Sequence, residues 1–85
     1  MITFFTIKGG KEVRAWTVKR NTRCQDAGKK VHSDFKEKFI KAEVINWQEL
    51  VMANGWRQAR ELGQLKIKGK EYQVQDGDVI EFKHQ

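Results

Sequence analysis

Asp76 and Asp78, separated by Gly77, are the first pair in this 85-residue chain whose type and spacing suggest chemistry, because paired carboxylates can act as general acid and base. Their setting points to structure instead. An Asp-Gly dipeptide marks a turn: the carboxylate accepts hydrogen bonds from nearby backbone N–H groups, and glycine takes the positive φ that such turns require. No nucleophile, metal cage or substrate pocket is signalled beside them. Gly9-Gly10-Lys11 contains the residues of a phosphate loop but not its length, which needs Gly-x-x-x-x-Gly-Lys-Ser/Thr opening onto a helix. Here the triplet joins two strand-like segments and reads as a hairpin turn. His32 and His84 are far apart and have no cysteine or carboxylate at zinc spacing, so neither a metal nor any other cofactor is expected. Cys24 is the one cysteine; it cannot form an internal disulfide and suits a small, half-buried apolar position.

The second chemical signal is positive charge interleaved with aromatic rings. Lysine and arginine outnumber the acids 17 to 11, for a formal net charge of +6. Such a balance steers a protein toward polyanions. Arg14, Lys19, Arg20, Arg23, Lys29, Lys30, Lys36, Lys38 and Lys41 concentrate in the first half, together with Phe4, Phe5 and Trp16. Cations that neutralise phosphates beside a ring that stacks on an unpaired base are the combination used by single-stranded RNA sites. His32 lies among four of these lysines and could stack or bind phosphate in the same way. The plain alternative is a solvated basic face with the rings buried. Trp47 and Trp56 read as packing residues, with a partner face as the second reading of Trp56.

These groups need a scaffold, and 85 residues are enough for one small domain with a single modest core. Hydrophobic residues make up 39% and charged residues 33%, a balance that excludes both a disordered chain and a membrane protein. No apolar run reaches bilayer length. The start, Met1-Ile2-Thr3-Phe4-Phe5, lacks the basic and long apolar regions of a signal peptide, so a cytoplasmic location is expected.

Residues Ile2 to Lys8 and Val13 to Lys19 form a predicted hairpin around Gly9 to Glu12. Thr22 and Gln25 suggest a capping box opening a helix whose buried stripe is Cys24, Ala27, Val31 and Phe35, weakening at His32-Ser33-Asp34. Ala42, Val44 and Ile45 suit a strand. Asn46 and Glu49 repeat the capping pattern before Trp47, Leu50 and Val51; Asn54-Gly55 breaks that helix, and a further piece carries Trp56, Ala59 and Leu62 to a Gly63 cap. Leu65 to Lys68 and a closing hairpin, Gly69 to Phe82 around Asp76-Gly77, supply the remaining strands. This order predicts an α+β fold, a ubiquitin-like β-grasp: a mixed sheet with one main helix across one face and short additional helices. One helix on one side would leave much of the other face open.

Several of these segments together resemble the C-terminal TGS domain of the YchF-type Obg-like ATPases, a GTP-binding protein family. They are Ile2 to Thr6, Lys11 to Thr17, His32 to Phe35, Phe39 to Ile45 and Gly69 to Phe82, in the same order over almost the whole chain. The resemblance implies one TGS domain over residues 1–85 with the β-grasp fold. It implies a non-catalytic module that helps a translation-associated ATPase or GTPase engage the ribosome or RNA in the cytoplasm. The nucleotide-binding domain of that family is absent from this sequence, so no ATP or GTP hydrolysis is expected of it. Arg14, Trp16, His32 and Lys41 lie in the matching motifs; Lys29, Lys30 and Lys36 join them on charge. The rival expectation is a protein-interaction module docking on the nucleotide-binding domain through Phe5, Trp16 or Trp56. A monomer with no membrane or DNA partner completes the reading.

Overall fold

The computed structural model describes residues 1–85, apart from the side chains of Phe35 and Lys36. Strand β1 (Ile2–Lys8) turns at Gly9 to Lys11 into the antiparallel strand β2 (Glu12–Val18), placing Phe4 opposite Trp16 and Thr6 opposite Arg14. Gly9 and Gly10 carry φ of 61° and 69°, which side chains with a Cβ resist. Strand β3 (Phe39–Asn46) pairs antiparallel with β4 (Lys66–Lys68) and with β5 (Asp78–His84), and β5 runs parallel to β1. The mixed sheet therefore has the order β2-β1-β5-β3-β4, with the hairpin at one end.

Side chains alternate across the pleat, so the adjacent rings of Phe4 and Phe5 go to opposite faces. Phe4 is fully buried with Ile2, Val18, Val44, Ile80 and Phe82, beneath Cys24 and Ala27 of helix α1 (Cys24–Val31). The Phe4 and Phe82 rings meet edge to face at 6.5 Å between centroids. Phe5 packs on the other face with Ile7, Ile45 and Val79. Helices α3 (Trp47–Ala53) and α4 (Trp56–Glu61) cover that cluster with Ala53, Trp56 and Ala59. The second face is thus less open than one crossing helix implied: the turn at Asn54 (φ 68°) and Gly55 (φ 136°) folds α4 back onto the sheet. Helix α2 (Phe35–Lys38) is a single turn. Phe35 and Lys36 as buried and basic side chains lie outside the described residues.

Two local expectations change. The Thr22 hydroxyl donates to the Lys19 carbonyl at 2.6 Å and does not cap α1. The amides of Cys24 and Gln25 donate instead to the carbonyls of Tyr72 and Lys70, so a segment about fifty residues away completes the helix start. That segment is not the first arm of a hairpin. Its strand-like contact is one bridge, Gln73 to Arg23, because its backbone is engaged with α1 rather than with β5. The expected cap at Asn46 forms, its side chain accepting from the Gln48 amide at 2.9 Å. Gly63, at φ 71°, closes α4: Gln64 donates to the Ala59 carbonyl and Gly63 to that of Arg60, the paired bonds of a Schellman end. Among the described residues no helix is long and apolar enough to cross a membrane.

Candidate nucleic-acid interface

The hairpin register puts Arg14 and Trp16 on the α1 face of edge strand β2. Trp16 is half-buried, and its indole N–H donates to Thr6 Oγ1 at 2.9 Å, across the register from Arg14. The Arg14 guanidinium carbon lies 4.6 Å from the Trp16 ring centroid. That distance makes a cation–π contact, which fixes the charge against the ring and leaves its N–H groups for an outside acceptor. From α1, the Lys30 ammonium donates to the Thr17 carbonyl on β2. Arg14, Trp16 and Lys30 are therefore brought onto one strand edge from two elements. Lys29, one residue earlier on α1, is exposed.

His32 follows α1 with its amide bonded to the Gly28 carbonyl at 3.0 Å, and its Nδ1 accepts from the Asp34 amide at 3.2 Å. It lines an open cleft of about 570 Å³ beyond the end of α1. Val31, Ile80 and Phe82 give this cleft an apolar floor, and Thr6, Lys8 and Lys38 give it polar sides. His84 lines it too, so the fold gathers both histidines despite their separation in sequence. Pairing alone could not show this, because it requires β5 to lie beside β1. Thr6 was legible from the register, since a three-residue turn sets it opposite Arg14. Lys41 is not part of this group. It stands opposite Lys83 after a bulge in β3 and alternates with Glu43 and Ile45, which belong to the α3–α4 face.

The aspartates hold the closing turn. Asp76 Oδ1 accepts the Thr3 amide at 2.8 Å while the Gly77 amide donates to the Thr3 carbonyl at 2.8 Å. Asp78 Oδ2 accepts from Tyr72 Oη at 2.7 Å and from the Gln75 amide at 2.8 Å. Burial raises the Asp78 pKa above the usual carboxylate range against the lowering effect of these bonds. Cys24 is buried, and its thiol is pushed up to about 12 by burial and then by the nearby Asp78 charge. Among the described residues, no group of three or more His, Cys, Asp or Glu side chains could hold a metal ion.

A five-stranded mixed sheet gripping one long helix defines a β-grasp domain. The chain belongs to the YchF GTPase C-terminal domain family, whose model, described as "Protein of unknown function (DUF933)", matches residues 1–85. It is 43% identical over 83 residues to the ribosome-binding ATPase YchF of Bacillus subtilis (strain 168), covering 98% of this chain and 22% of that protein. The protein of the same name from Haemophilus influenzae (strain ATCC 51907 / DSM 11121 / KW20 / Rd) is 46% identical over 81 residues, covering 95% and 22%. Among solved structures, the Schizosaccharomyces pombe YchF GTPase superposes with a TM-score of 0.85 at 34% identity, covering 96% of this chain and 21% of that one. The chain thus spans about a fifth of the length of these relatives.

Proposed function

We propose that this domain is a non-catalytic module through which a cytoplasmic YchF-type ATPase or GTPase engages the ribosome, by contact with RNA on the α1 face. The observation that carries the reading is the grouping of Arg14 over Trp16 beside the Lys30 ammonium, at the side of a cleft bearing His32. Arginine and lysine supply phosphate neutralisation, while the cleft's apolar floor and histidine rim suit an unpaired base. The names of the relatives, which are ribosome-binding ATPases, support the ribosome as the partner. A salt-dependent titration against ribosomes and single-stranded RNA, with a Lys29→Glu, Lys30→Glu double variant, tests it. Saturable binding that weakens with salt and in the variant is expected. Absence of binding at low salt by the folded domain overturns RNA contact.

A second reading is favoured by a different observation. Trp47, Val51 and Met52 on α3 are 46%, 63% and 85% exposed, an apolar surface suited to docking on a nucleotide-binding domain. Trp56, expected as one such contact, is 6% exposed and belongs to the core. Docking through α3 predicts sensitivity to Met52→Asp and little response to salt.

A further inference from the structure

On the sheet face opposite α1, the β1–β2 turn and α4 border a second open cleft, of about 650 Å³. Lys11 enters it from the turn, Arg57 and Arg60 from α4, and Lys83 from β5. Two of these cations are already balanced. Arg60 donates to Glu43 Oε1 at 2.9 Å and Lys83 to Glu81 Oε1 at 2.8 Å, with cross contacts of 3.7 and 3.6 Å that tie the four into one network. The network pre-positions both cations, and the Arg60 guanidinium has further N–H donors beyond the one used on Glu43. Lys11 makes no ion pair among the described residues. Arg57 meets Glu61 at 3.8 Å with both side chains largely exposed, a contact that an incoming anion displaces at little cost.

The wall of the cleft also contains an unpaired donor. Trp56 Nε1 is enclosed and has no acceptor among the described residues. Its neighbour in the ring, Cδ1, lies against the turn, since a Cβ built on Gly10 would stand 3.8 Å from it. An oxygen admitted between Gly10 and the indole would satisfy a donor that is otherwise costly to bury.

The two clefts meet at the same turn: Lys8 lines the first, and Gly9, Gly10 and Lys11 line the second. A free anion uses only one of them, whereas a chain of phosphates can pass round the end of the sheet and use both. We propose that the cleft between the β1–β2 turn and α4 binds a backbone phosphate of the same RNA strand that contacts the α1 face, a reading that rests on the function proposed above.

The test follows amide and indole N–H resonances of the isotopically labelled chain during titration with a uridine hexanucleotide, with inorganic phosphate and polyglutamate as separate probes. The hexanucleotide is expected to shift the Trp56 indole and the Gly10 and Lys11 amides together with Thr6 and His32. A Lys11→Glu, Arg57→Glu double variant, changed at exposed positions and checked for an unaltered native spectrum, should bind about tenfold more weakly. Its salt slope should fall by about two. Shifts confined to the α1 face, with normal binding by the double variant, overturn this inference and leave the proposed function standing. No shift at either face overturns both. Shifts at Trp56 with phosphate or polyglutamate but not with the hexanucleotide overturn the assignment to an RNA strand.

Discussion

The Tyr72 hydroxyl donates to Oδ2 of Asp78 at 2.7 Å, and the Tyr72 carbonyl accepts the first amide of α1, from Cys24, also at 2.7 Å. One residue therefore ties the closing turn to the start of the main helix. The link explains why Asp78, 5% exposed, can remain buried: its oxygen takes two donors, from Tyr72 and Gln75.

Tyr72→Phe should cost about 1–3 kcal/mol, because it leaves a buried carboxylate with one partner fewer. The pH dependence has a definite sign. Asp78 binds its proton more tightly folded than unfolded, so its contribution to stability is full below the unfolded carboxylate pKa and is lost as pH rises through the raised folded value. The Tyr72 bond lowers that folded value, so its loss should widen the window toward neutrality. Urea unfolding across the acid range should show a steeper decline with rising pH in Tyr72→Phe than in the parent, and Asp78→Asn should remove this component.

Cys24 should resist thiol reagents in the folded domain. With its pKa pushed up to about 12 and its side chain buried, almost no accessible thiolate exists at mildly alkaline pH. Labelling should be slow in buffer and immediate in denaturant, and a fast native rate would contradict the packing of α1 on the sheet.

Gly77→Ala should destabilise by about 1–3 kcal/mol from backbone strain alone, since φ is 84° there. A Cβ would also stand 2.7 Å from Trp47 Cδ1 and push on the start of α3, whose first amide bonds to the Gly77 carbonyl. Thermal unfolding followed by tryptophan fluorescence should report both the loss of stability and a change in the Trp47 environment.

Arg14→Glu should weaken RNA binding far more than Lys41→Glu, although both reverse one basic charge. Arg14 lies on Trp16 beside Lys30, whereas Lys41 is paired opposite Lys83 on the other side of the sheet. Equal losses in a low-salt titration would mean that net charge, rather than this surface, governs binding.

The local features proved legible where neighbours in sequence decide them. The hairpin, the Asn46 cap, the break at Asn54-Gly55 and the Gly63 end follow from turn chemistry and capping within a few residues. The misread features involve distant partners. Thr22 and Gln25 have the spacing of a capping box, but carbonyls of Lys70 and Tyr72 reach the same amides, and Thr22 turns back to Lys19. Tyr72 to Val74 alternate like a strand, yet their backbone is used at α1.

By itself, the sequence determined the β-grasp order of elements, the structural role of the two aspartates and the basic, aromatic character of the first half. Composition and short-range hydrogen bonding suffice for those. The tertiary structure alone decided which charges act together. It set Arg14 and Trp16 beside Lys30, gathered His32 and His84 at one cleft, and sent Lys41 to the opposite face. The reason is that strand order and pleat assign each side chain a face, and the parallel pairing of the first strand with the last joins residues more than seventy positions apart.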